Sequence, residues 1–92
     1  MNIASARDAG KKAVEIVTEL IPEAKYTALE GIESDDATNS WNVIVGYMLS
    51  SDIPQTTLDV LRSNQNRRTY KVLVLDKSTL ELSKMEPYHV NA

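Results

Sequence analysis

The chain has 92 residues, of which 42% are hydrophobic, and a formal net charge of −3. This length suits one compact domain with a single two-layer core, and it is too short for two domains or a large enclosed active-site cleft. Cysteine is absent, which excludes disulfides, thiolate nucleophiles and zinc sites that need sulfur. The mildly acidic total is atypical of dedicated non-specific DNA-binding domains, which are usually basic.

The first predicted element is an amphipathic helix over residues 5–21. Its apolar residues recur at spacings of three and four, which is the period of a helix with one apolar stripe. Ser5 and Asp8 resemble a capping box at its start, and Pro22 ends it. The stripe is small in its first half, so this half could approach a sheet closely.

The first eight residues bear on the location of the protein. Residues 1–8 contain charges where a signal peptide would need an apolar run, and no window reaches transmembrane length. We therefore expect a cytoplasmic protein without membrane contact, unless a leader has been removed.

Two antiparallel hairpins are predicted to follow the helix, over residues 26–49 and 67–85, with the fourth strand over residues 80–85. Residues 51–66 between them form an insert or a short helix, and residues 86–92 are expected to be a tail. The prediction is a single α+β domain of two layers, in which one N-terminal helix packs on an antiparallel sheet of about four strands.

Four short segments, spread over most of the length of the chain, add a family resemblance to this pattern. They are residues 20–24, 29–33, 41–43 and 70–81. In these segments the chain resembles a PepSY-type or cystatin-like small domain. The resemblance implies one helix on an antiparallel sheet, and a role in regulating or inhibiting peptidases or in protein contacts rather than in catalysis.

The strand around residues 70–75 is apolar on both faces, because side chains alternate sides along a strand. We expect the helix-facing side of the sheet to comprise Trp41, Val43, Val45, Tyr47, Leu49, Tyr70, Val72, Val74, Leu80 and Leu82. This leaves Ile44, Met48, Leu73 and Leu75 opposite, as candidate interface residues. Burying such side chains is worth ~1.5–3 kcal/mol each, so they need a cover. Residues 51–66 could supply it, and so could a second copy of the chain or another protein.

A basic cluster is the best polar candidate for ligand contact. Arginines beside an aromatic residue can bind phosphate and stack on a base. The candidates are Arg62, Arg67, Arg68 and Lys71, with Tyr70 beside them. Strand alternation divides them between the two faces of the sheet. Such a distribution also fits a solubilising loop next to an edge strand whose charges prevent pairing with another chain. We therefore do not expect nucleic-acid binding to be the main function.

No catalytic residue, metal ligand or cofactor site is predicted. Glu30, Glu33, Asp35 and Asp36 lack the spacing of an EF-hand, and we interpret them as part of a solvated turn. His89 is the only histidine, and it lies in the expected tail without a fixed partner. The function expected from the sequence is a non-enzymatic protein-interaction, regulatory or inhibitory domain that acts through its sheet face and could be a homodimer. The alternative is an anionic-ligand or nucleic-acid binder that uses the basic cluster.

Overall fold

The computed structural model describes residues 5–49 and 68–89. This part of the chain forms one helix and four strands: α1 (Ala6–Leu20), β1 (Ala24–Asp35), β2 (Ser40–Leu49), β3 (Thr69–Asp76) and β4 (Leu82–Pro87). The strands pair antiparallel in the order β1-β2-β3-β4, and α1 packs on one face of this sheet. The predicted α+β fold class is confirmed. The predicted insert or short helix at residues 51–66 lies outside the described residues.

Helix α1 begins with a side-chain cap and packs closely on β1. The Ser5 hydroxyl oxygen accepts a hydrogen bond from the Asp8 backbone N–H at 3.2 Å, so one free donor of the first turn is satisfied. Gly10 is buried, and a Cβ atom placed on it would lie 2.8 Å from Cδ2 of Leu29. Glycine therefore allows the first half of the helix to approach the sheet.

The core lies between α1 and the two central strands. Its largest fully buried side chains are Val17 of α1, Val43 and Val45 of β2, and Leu73 and Leu75 of β3. The α1 residues Ala9 and Ala13 are also fully buried. Aliphatic side chains therefore supply most of this core. The face of the sheet that is excluded from solvent is the one covered by α1.

The structure reverses the face assigned to β3. Leu73 and Leu75 are 0% exposed in the core, whereas the sequence analysis placed them on the opposite face as interface candidates. The β2–β3 register explains the difference, because Leu73 is paired with Val43 and Leu75 with Trp41. Residues directly opposite each other in an antiparallel pair share a face. The prediction that Tyr70, Val72 and Val74 face the helix is accordingly wrong.

The last strand lies two residues later than the sequence predicted. Leu80 has a φ of 61°, a left-handed conformation that interrupts an extended strand. Strand β4 therefore spans Leu82–Pro87, and the Tyr88 N–H donates to the Tyr70 carbonyl oxygen at 2.9 Å. Residues 86–88 pair with β3 and do not belong to a free tail.

Candidate interaction surface

The face of the sheet that points away from α1, called the outer face below, carries a group of half-buried apolar side chains. Strand alternation places Ile44 of β2 and Tyr70, Val72 and Val74 of β3 on it. Met48 of β2 shares the parity of Ile44, and it is half-buried as well. Of the four predicted interface residues, Ile44 and Met48 thus lie on the outer face.

Gly46 lies on the outer face, one residue pair from the end of the β2–β3 pairing, under three larger side chains. A Cβ atom placed on it would lie 3.0 Å from Cγ of Glu30, 3.0 Å from Cε1 of Tyr70 and 3.1 Å from Nη2 of Arg68. Arg68 also donates a hydrogen bond to Oε1 of Glu30 at 3.2 Å, which links β1 to the segment before β3. The absence of a side chain at Gly46 therefore lets an aromatic ring and an ion pair lie flat on the sheet.

A shallow depression of about 510 Å³ occupies another part of the outer face. Val72 and Val74 supply its apolar surface, and polar or charged residues supply the remainder. The full lining consists of Asp35, Thr38, Ser40, Asn42, Val72, Val74, Ser83, Lys84 and Glu86. An apolar centre with a polar rim is the usual composition of a protein-contact patch.

The structure separates the described members of the basic cluster. Arg68 and Tyr70 lie on the outer face beside Gly46. Lys71 is paired with Val45, so it lies on the face of the sheet that α1 covers. Arg62 and Arg67 lie outside the described residues. The part of the cluster that the structure describes therefore does not form one continuous cationic surface.

The two hairpin turns meet at one end of the sheet through Lys77. Its Nζ donates to Oδ1 of Asp36 at 2.7 Å and to Oγ of Ser34, and it lies 4.9 Å from the centre of the Trp41 ring. The hydrogen bond from Lys77, followed by one from Ser34, lowers the pKa of the Asp36 carboxyl group. This cluster links the β1–β2 turn to the β3–β4 turn.

The sequence did not predict this role of Lys77, which it placed only in the connection between the two strands of the 67–85 hairpin, at residues 76–79. One signal was available. In a sheet of consecutive hairpins, the first and third turns lie at the same end, so the acidic residues of one turn and the lysine of the other face each other.

The Asp76 carboxylate organises the β3–β4 turn. Its Oδ1 accepts hydrogen bonds from the backbone N–H groups of Ser78 at 2.7 Å and Thr79 at 3.0 Å. The bond from Thr79, followed by that from Ser78, lowers the pKa of Asp76. Elsewhere, in the core, burial raises the pKa of the Tyr47 hydroxyl group.

The acidic residues of β1 and its turn mostly bind groups of the protein itself. Asp35 accepts from the N–H groups of Ala37 and Thr38, while Asp36 binds Lys77 and Glu30 binds Arg68. Over residues 5–49 and 68–89, no three histidine or acidic side chains converge as a metal site would require. His89 is exposed after β4.

Comparisons with protein-family models, curated proteins and solved structures returned no match. The resemblance to PepSY-type or cystatin-like domains stays a prediction. In the described segments, no helix has both the length and the apolar character needed to cross a membrane.

Proposed function

We propose that this chain is a non-catalytic protein-interaction domain that binds through its outer face, either to a second copy of itself or to another protein. The observation that carries the proposal is the apolar strip of Ile44, Val72 and Val74 on the side of the sheet opposite α1. Contiguous apolar surface rimmed by polar groups is typical of contact sites between proteins.

The surroundings of this strip support contact rather than chemistry. Lys84 and Glu86 lie at one border of the depression and Asp35 at another, which supplies both signs of charge to a partner. A regulatory or inhibitory role, which the resemblance to PepSY-type or cystatin-like domains implies, and a cytoplasmic location, which the charges within residues 1–8 suggest, belong to this proposal.

Self-association is tested by size-exclusion chromatography with light scattering over a range of concentrations. We expect wild-type protein to dimerise, and Val74→Glu to be monomeric because a charge would be placed in the contact patch. The matched control is Leu20→Glu, which removes an apolar residue 58% exposed at the end of α1 and should leave the dimer intact. Equal association of wild type and Val74→Glu would contradict a self-contact through this face.

Binding to another protein is tested by cross-linking in an extract of the native host, with three baits compared in parallel. Wild type and Leu20→Glu should capture the same partner, and Val74→Glu should lose it. A partner that Val74→Glu retains at the wild-type level does not bind through the outer face, and this result would contradict the proposal.

A further inference from the structure

A second recessed surface lies on the other side of the molecule, between α1 and β1. This groove has a volume of about 420 Å³ and is lined by Arg7, Gly10, Lys11, Val14, Glu15 and Leu29. Val14, Gly10 and Leu29 form an apolar floor. Leu29 keeps 46% of its surface exposed, so the groove is open to solvent.

The charges along the groove are arranged asymmetrically. Arg7 and Lys11 are four residues apart, and positions with this spacing lie side by side on a helix. Glu15 follows one turn later, beyond Val14. Arg7, Lys11 and Glu15 therefore form one row along the helix, with Gly10 and Val14 beside it. A ligand in this groove meets an apolar floor flanked by two positive charges and, one turn further, by a negative charge.

We propose that this groove binds a peptide segment of a partner protein that presents a large apolar side chain next to acidic residues. The acidic residues would lie against Arg7 and Lys11, and the apolar side chain against Val14 and Leu29. The proposal concerns a surface separate from the outer face and does not depend on the proposed function.

Two alternatives fit the groove less well. Sites for small molecules usually enclose 70–90% of the ligand, whereas the exposed Leu29 indicates an open groove. Strand addition to β1 needs a regular edge, and β1 has register irregularities between Lys25 and Ala28 and between Leu29 and Gly31. Docking of a side chain with charge pairing at one end remains the best match.

The test uses NMR titration of the full chain with a capped peptide, Asp-Asp-Leu-Leu-Gly-Ser. We expect saturable shifts of the amide signals of Gly10, Lys11 and Leu29. The basic counterpart, Lys-Lys-Leu-Leu-Gly-Ser, and the peptide without leucines, Asp-Asp-Gly-Gly-Gly-Ser, should bind more weakly. Lys11→Glu should weaken binding of the acidic peptide about tenfold, since attraction becomes repulsion.

Lys12→Glu is the matched control, because it changes the net charge equally at the neighbouring exposed position outside the groove lining. It should have a much smaller effect than Lys11→Glu, and Val74→Glu should have none. Equal weakening by Lys11→Glu and Lys12→Glu would overturn the proposal, as would no saturable shift. Binding of decanoate in place of the acidic peptide, or self-association abolished by Lys11→Glu, would assign the groove to a different occupant and also overturn it.

Discussion

Leu80 combines a strained backbone with a side chain that contributes to packing. Its φ of 61° lies in the left-handed region, which costs roughly 1–2 kcal/mol for a residue with a Cβ atom. Its side chain packs against the buried core, and its N–H donates to the Asp76 carbonyl oxygen at 2.8 Å. Packing and the turn hydrogen bond together hold leucine in a conformation that glycine adopts more easily.

Substituting Leu80 should separate these two contributions. Leu80→Ala loses the packing and keeps the strain, whereas Leu80→Gly loses the same packing and relieves the strain. We expect both variants to be less stable than wild type, with Leu80→Gly more stable than Leu80→Ala by about 0.5–1 kcal/mol. Urea unfolding measures the difference. A more stable Leu80→Ala would show that strain at this position is negligible.

Asp76 should make stability depend on pH in the acidic range. Hydrogen bonds from Thr79 and Ser78 lower the pKa of its carboxyl group in the folded protein. The resulting stabilisation is present above the unfolded pKa of about 3.9, and it is lost as pH falls through the folded pKa.

The neutral variant Asp76→Asn keeps an acceptor for the turn but cannot titrate. We expect its urea midpoint to fall less than that of wild type between pH 5 and pH 2. An equal fall in both proteins would assign the acid sensitivity to other carboxyl groups.

At the scale of elements, the sequence predicted the helix and the strands better than the faces they present. Helical spacing and Pro22 located α1, and alternation located β2. The faces of β3 could not be deduced, because both of its sides are apolar and only the pairing of Leu73 with Val43 decides between them. For the same reason the four candidate interface residues divide between the faces, with Ile44 and Met48 on the outer face and Leu73 and Leu75 in the core.

The joined hairpin turns provide a prediction at this scale. Lys77→Met keeps an apolar stem beside Trp41 but removes the bonds to Ser34 and Asp36. We expect the pKa of Asp36 to rise towards its ordinary value, while that of Asp76 stays low because its cause is the backbone of its own turn. An NMR titration that follows the side-chain carboxyl carbons of Asp36 and Asp76 measures both pKa values. An unchanged pKa of Asp36 would contradict the contact between the turns.

At the scale of the whole molecule, one face of the sheet forms the core with α1, and the other is the face for which we propose protein contact. The helix and its small residues bury the inner side, with Val43 and Leu73 fully enclosed. The outer face carries half-buried apolar side chains, and Arg68, Glu30 and Tyr70 cover Gly46. The α1–β1 groove is a second recessed surface, in which Arg7 and Lys11 flank an apolar floor.

The division of β3 between these two faces is tested most directly by comparing the free energy of unfolding of Leu73→Glu and Val74→Glu in urea. Leu73→Glu should lose more than about 4 kcal/mol, because it buries a charge in the core. Val74→Glu, at the adjacent position on the outer face, should lose less than about 1.5 kcal/mol. Equal, large losses in both variants would contradict the assignment of Val74 to a contact surface.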